Sequence, residues 1–139
     1  MSLFSVMNIA GSALAAQTVR MNVTASNMAN ADSAASSIGA TYRAREPIFR
    51  PLTNASWDAT EAATGGVEVA GIVESQAPLK REYQPGNPLA DHDGYVFMPN
   101  VNVVEEMANM IAASRSYQTN VEIMDASKQM LTRTLALGQ

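Results

Sequence analysis

Apolar residues recur every three or four positions along both ends of the chain, and the middle breaks that rhythm. Within residues 3 to 30, Leu3, Met7, Ala10, Leu14, Gln17, Met21, Thr24 and Met28 alternate spacings of four and three, which places them on one seam of a heptad helix. Within residues 103 to 137, Val103, Met107, Met110, Ser114, Tyr117, Val121, Met124, Lys128, Leu131 and Leu135 keep the same rhythm. Polar side chains interrupt the first seam at Gln17 and Thr24 and the second at Ser114 and Lys128. Arg20 is the only charged residue from Met1 to Ala31, so the first helix has almost no face suited to water and expects neighbours on most sides.

Start and stop signals fit the second helix. Asn102 can accept from the first-turn amides, Glu105 three residues on suits the helix dipole, and Gly138 suits the end. At 1.5 Å per residue the helices would run roughly 42 Å and roughly 52 Å, longer than a small core needs, which points to an elongated shape. A lone pair of such helices is expected to be marginal and to fold firmly only on packing with further copies.

From Asp32 to Asn102 the signals switch to short extended runs punctuated by turns, and all six prolines and six of the eight glycines lie here. Val67 to Val73 reads as a strand, with Leu79 to Tyr83 as its expected partner across Ser75-Gln76-Ala77-Pro78. Thr41 to Phe49 reads as extended, Pro85-Gly86-Asn87-Pro88 and Asp93-Gly94 as turns, and Asn54 to Gly66 as a mobile loop. The expected fold is mainly α with a small β insert. Residues 1–32 form an N-terminal coiled-coil helix, 33–101 a β-rich insert with a mobile loop, and 102–139 a C-terminal coiled-coil helix packed on the first.

Composition narrows the function. With 13 acidic and 9 basic side chains the chain carries a formal charge of −4, and no face gathers the Lys and Arg that phosphate neutralisation requires, so no nucleic-acid partner is expected. Aromatics make up 6% of the chain, too few for a large enzyme-like core. Zero cysteines exclude disulfides, thiol nucleophiles and thiolate metal sites, and a lone His92 excludes a two-histidine site. Asp91-His92-Asp93-Gly94 lacks the end ligands of a calcium loop and reads as a turn. No serine sits in a nucleophile elbow, and Gly65-Gly66 has no phosphate-loop lysine. The sequence therefore predicts no catalytic residue, metal, cofactor or small-molecule substrate. Ala13-Leu14-Ala15 has the form of a signal-peptidase site, but no basic residue precedes it, so no cleaved signal peptide is expected.

Several ordered stretches carry a resemblance. Ser26-Asn27-Met28-Ala29-Asn30-Ala31-Asp32-Ser33 resembles the Asn-Asn-Leu-Ala-Asn-x-x-Thr signature of the bacterial flagellar axial proteins, with Met28 and Ser33 in place of leucine and threonine. Pro99 to Met107 and Ala113 to Asn120 resemble the C-terminal motif of that group. Ile9 to Gln17, Glu74 to Pro78, Pro85 to Ala90 and Thr134 to Gln139 are similar to its proximal-rod members. The stretch Ser33 to Gly66 matches only at Tyr42-Arg43-Ala44.

The resemblance implies a structural subunit of the basal-body rod in the periplasm, sent out through the flagellar type III export apparatus. It would associate with itself, with rod proteins of the FlgB and FlgF kinds and with the membrane-ring junction. The assembly interface would then be the apolar seam positions Leu3, Met7, Ala10, Leu14, Met21, Met28, Val103, Met107, Met110, Tyr117, Val121, Met124, Leu131 and Leu135. Asn27 and Asn30, whose amides can bond main chain outside a helix, are expected to end the first helix and fix the exit of the chain. The nine methionines also suit a soluble adaptor or chaperone that binds an amphipathic partner helix; a small secreted hydrolase lacks its catalytic constellation.

Overall fold

The structure, a computed structural model, describes residues 2–52 and 65–137. The two apolar ends form its two helices, α1 (Leu3–Ala29, 27 residues) and α2 (Val103–Leu137, 35 residues). Ser2 opens α1 by accepting from the Ser5 amide through its hydroxyl at 3.2 Å. The Asn102 side chain accepts from Val104 N at 3.2 Å and its carbonyl from Glu106 N at 3.0 Å, with Glu105 and Glu106 in the favourable first turn of α2. Gly138, expected to end α2, lies outside the described residues.

The helices pack antiparallel. The Arg20 guanidinium donates to Asn109 Oδ1 at 2.8 Å, while Asn27 Nδ2, further along α1, donates to Glu106 Oε1, earlier in α2, at 2.9 Å. Because the end of α1 is matched to the start of α2, the greater length of α2 (35 against 27 residues) falls at its C-terminal end, where Leu135 is 73% exposed. A second face of α1 lies against a β-ribbon: the Ser12 hydroxyl accepts from Val67 N at 3.1 Å, and Ile9 sits against Gly65. The first helix thus has a neighbour on each of two sides, as its near-absence of charge requires.

That ribbon is β1 (Arg45–Pro51) antiparallel to β2 (Val67–Glu74), with a bulge at Ile48/Phe49 where Ala70 has no opposite. Ion pairs Arg45–Glu74 and Arg50–Glu68 cross it. A second two-stranded sheet pairs β3 (Lys80–Tyr83) with β4 (Tyr95–Met98).

The pairing of Val67–Val73 with Leu79–Tyr83 is therefore corrected, and the cause is local. Arg43 and Asn100 hold the carbonyls of Ser75 and Ala77, so Ser75 to Pro78 is pinned as a corner instead of closing a hairpin. The Asp91 carboxylate accepts from Tyr95 N at 2.8 Å and Asp93 N at 3.0 Å, and Gly94 takes φ +80°, which together turn the chain back onto β3. A Cβ at Gly94 would come within 2.9 Å of the Tyr83 ring, which packs on Tyr95 at 5.2 Å. The amide of Tyr95, more than any other group, holds the Asp91 carboxyl below the usual aspartate range. Pro47 and Pro51 sit inside β1, which a ribbon edge tolerates because no third strand needs their missing donors.

The most buried positions gather where the elements meet. Ala31, Ala44 and Val101 form a small cluster against Tyr42, and Ala35 pairs with Phe97 through both main-chain bonds (2.9 and 3.0 Å), which stitches the chain after α1 onto β4. On α2, Ala113 is fully buried, seven residues beyond Glu106 and so on the face turned to α1. Ala113→Leu should cost about 1–3 kcal/mol in urea unfolding of the purified chain, while exposed Ala112→Leu should change stability by less than about 0.5 kcal/mol. Equal effects at the two alanines would overturn the assigned facing.

Candidate functional site

Among the described residues no group of three or more His, Asp or Glu could hold a metal, and no helix is long and apolar enough to cross a membrane. The candidate sites are a buried hydrogen-bonded junction and the apolar faces of the helix pair.

The junction is built around Asn27, which is 1% exposed and uses all of its hydrogen-bonding capacity. Its Nδ2 donates to the Arg45 carbonyl and to Glu106 Oε1, both at 2.9 Å. Its Oδ1 accepts from Arg45 N and from the Tyr42 hydroxyl, both at 2.9 Å. Toward Arg45 the side-chain amide offers the donor and acceptor of a peptide unit, so it pairs with the first residue of β1 as a neighbouring strand would. One side chain thereby ties α1 to β1, to the Tyr42 segment and to α2. Unpaired, a buried amide of this kind would be costly; fully paired, it fixes three segments in one arrangement.

Asn30, the residue after α1, accompanies it. Its Nδ2 donates to the Ser26 carbonyl at 2.8 Å and its main-chain N–H to the same carbonyl at 3.2 Å, which satisfies the open end of the helix. A third asparagine completes the junction. Asn100 Oδ1 accepts from Ala44 N at 2.8 Å and its Nδ2 donates to the Ala77 carbonyl at 2.9 Å, linking the entries to β1 and α2 with the corner after β2. Asn100, Tyr42 and Glu106 all lie inside quoted motif stretches, but only their spatial convergence gives them a role.

The seam positions divide. On α1, Ala10 is 2% exposed, and Leu3, Met7, Leu14, Met21 and Met28 are half-buried. Gln17, polar in that seam, has its Oε1 buried with no hydrogen-bond partner among the described residues. On α2, Met110, Tyr117, Met124 and Leu131 are half-buried, whereas Val103, Met107, Val121 and Leu135 lie exposed on a single chain. The alternate inward positions are filled by Ala113, Asn120 and Ser127, so the inward seam runs Met110, Ala113, Tyr117, Asn120, Met124, Ser127, Leu131 and keeps the spacing of three and four. Counting bulk favoured Val103, Met107 and Val121; the small residues mark where the helices approach closely.

Turned outward is an apolar patch. Val103, Val104, Met107 and Ile111 are 40, 75, 50 and 55% exposed, and at 100° per residue they occupy one side of the first two turns of α2. Phe4 at 69% and Leu135 at 73% expose further apolar surface at the opposite end of the helix pair.

Comparisons with known proteins address the same regions. The family model described as flagella basal body rod protein matches residues 7–34, which is most of α1 and its exit through Asn27 and Asn30. The model described as flagellar basal body rod FlgEFG protein C-terminal matches residues 92–137, β4 and α2. Among curated relatives, the flagellar basal-body rod protein FlgC of Escherichia coli O6:H1 is 57% identical, that of Salmonella typhimurium (strain LT2) 55%, and that of Buchnera aphidicola subsp. Acyrthosiphon pisum 41%. Each alignment spans the whole of both chains. The chain belongs to the flagellar basal-body rod family of the FlgC type: it is a structural subunit of the rod and not an enzyme.

Asn27→Asp preserves the size of the junction amide but turns an oxygen toward the Glu106 carboxylate and the Arg45 carbonyl. A loss of about 2–4 kcal/mol in urea unfolding is expected at neutral pH. Adding Glu106→Gln, which supplies a donor, should restore at least about 1 kcal/mol of it. A double variant no better than the single one would show that the Glu106 contact does not bind the junction together.

Proposed function

We propose that the chain builds the rod by laying its helix pair against the helix pairs of neighbouring subunits, as layers of a coiled coil, while the two β-sheets brace the outside. The neighbours would be further copies of the same chain and rod proteins of the FlgB and FlgF kinds, with the membrane-ring junction at one end. The subunit would reach the periplasm through the flagellar type III apparatus with no cleaved signal peptide. Torque would pass through many apolar contacts shared between helices, and a contact that joins unlike faces extends into a helix instead of closing a ring.

The observation that carries this reading is the double-sidedness of α2. Its inward seam satisfies α1, yet Val103, Val104, Met107 and Ile111 remain in water on another side. Burial of such a patch contributes roughly 25 cal/mol for each Å² of apolar surface removed from water, which is the driving force an assembly of modest subunits needs. The assembly residues are proposed to be the outward positions Val103, Met107, Val121 and Leu135 together with the half-buried Leu3, Met7, Leu14, Met21 and Met28. Ala10, Met110, Tyr117, Met124 and Leu131 join α1 to α2 within each subunit, and Asn27 and Asn30 set the angle at which the insert leaves the stem. An adaptor that binds a single partner helix would use the same patch but would remain a soluble complex of defined stoichiometry.

Val104→Asp combined with Ile111→Asp tests this directly in cells that lack the native chain. Both side chains are exposed, so the purified variant should unfold within about 0.5 kcal/mol of the unsubstituted chain. Swimming should be lost and the variant should be missing from isolated basal bodies. Normal incorporation would refute the outward patch as an assembly surface, and recovery of the unsubstituted chain only in a soluble complex would favour the adaptor.

A further inference from the structure

We propose that Met107 is an oxidation site whose conversion to the sulfoxide disables the outward face of α2 before the subunit is incorporated. The proposal rests on the assembly reading above. Of the described methionines, Met107 and Met130 are each 50% exposed, whereas Met7, Met21, Met28, Met98, Met110 and Met124 are half-buried. Access to a thioether governs how fast a dissolved peroxide reaches it, so these two react first. The step is an oxygen-atom transfer: a lone pair on Sδ attacks one peroxide oxygen, the S–O bond forms as the O–O bond breaks, and the other oxygen leaves as water. Sulfur loses two electrons and the peroxide gains them.

The surroundings separate the two sites. Met107 lies within the patch of Val103, Val104 and Ile111, one turn from Val103 and Ile111. A sulfoxide there places a strong acceptor amid aliphatic side chains, and burying it against another apolar helix would leave that acceptor unpaired. Met130 lies more than five turns along α2, half a turn around from Met110 and away from that patch, so its oxidation should leave the patch intact. Neither sulfur contributes to the Asn27 junction, so the oxidised chain stays folded. The consequence is selective: oxidised free subunits are withheld, while subunits already packed have Met107 covered.

Two measurements test this. Hydrogen peroxide applied to the purified full chain, followed by peptide mass spectrometry, should convert Met107 and Met130 at least about threefold faster than the half-buried methionines. In cells lacking the native chain, Met107→Gln, a polar mimic of the sulfoxide, should reduce the chain found in isolated basal bodies by about tenfold or more. Met130→Gln should incorporate normally, and both purified variants should unfold like the unsubstituted chain. Normal incorporation of Met107→Gln, or oxidation of Met107 no faster than that of the half-buried methionines, would overturn the proposal. Absence of the unsubstituted chain from basal bodies would instead overturn the assembly reading itself.

Discussion

Asn27 has two donors and two acceptors to satisfy in a place water does not reach, and the rest of the subunit is arranged so that it can. Arg45 must present its main chain, Tyr42 its hydroxyl and Glu106 its carboxylate, each at 2.9 Å. Those demands fix where the chain turns after α1, where β1 begins and how far along α1 the start of α2 is set. Apolar contacts alone would permit the helices to slide by a turn; a buried amide with four partners does not. Asn100 repeats the device one layer away, so that the entries to β1 and α2 and the exit from β2 share one frame.

On that frame the helices divide their labour by residue size. Ala113 and Ser127 face inward and let α1 and α2 approach closely, while Val104, Met107 and Ile111 are held in water. A monomeric protein would reverse this distribution. On the proposed reading the larger side chains are reserved for neighbours, and internal cohesion comes from close packing and from hydrogen bonds, which add direction to the contact. The matched family regions fall on this stem, residues 7–34 and 92–137, and leave β1 and β2 outside them.

Much of the stem was legible in the sequence. The two helices follow from period, and α2 also from its cap, because Leu3 to Met28 and Val103 to Leu135 repeat for many turns and Asn102 is a good first residue. Their register was less so. Met107 and Val121 satisfy a heptad as well as Ala113 and Ser127 do, and only the partner helix decides which row it faces. Three of the four strands were legible singly but not in pairs, since Val67–Glu74 suits Arg45–Pro51 as readily as Lys80–Tyr83, and the choice falls to Arg43 and Asn100, which pin the Ser75–Ala77 corner from far along the chain. Asn27 stood out at the end of a helix; its reach to Glu106 spans 79 residues of sequence and belongs to tertiary structure.

One feature of the stem bears on mechanics. Because the end of α1 is level with the start of α2 while the far end of α2 outruns the start of α1, a subunit ends in a single projecting prong instead of a flat butt. Masons stagger their joints for the same reason that this outline suits a spinning axle: when every block laps its neighbours at a different height, there is no common plane along which the column can shear.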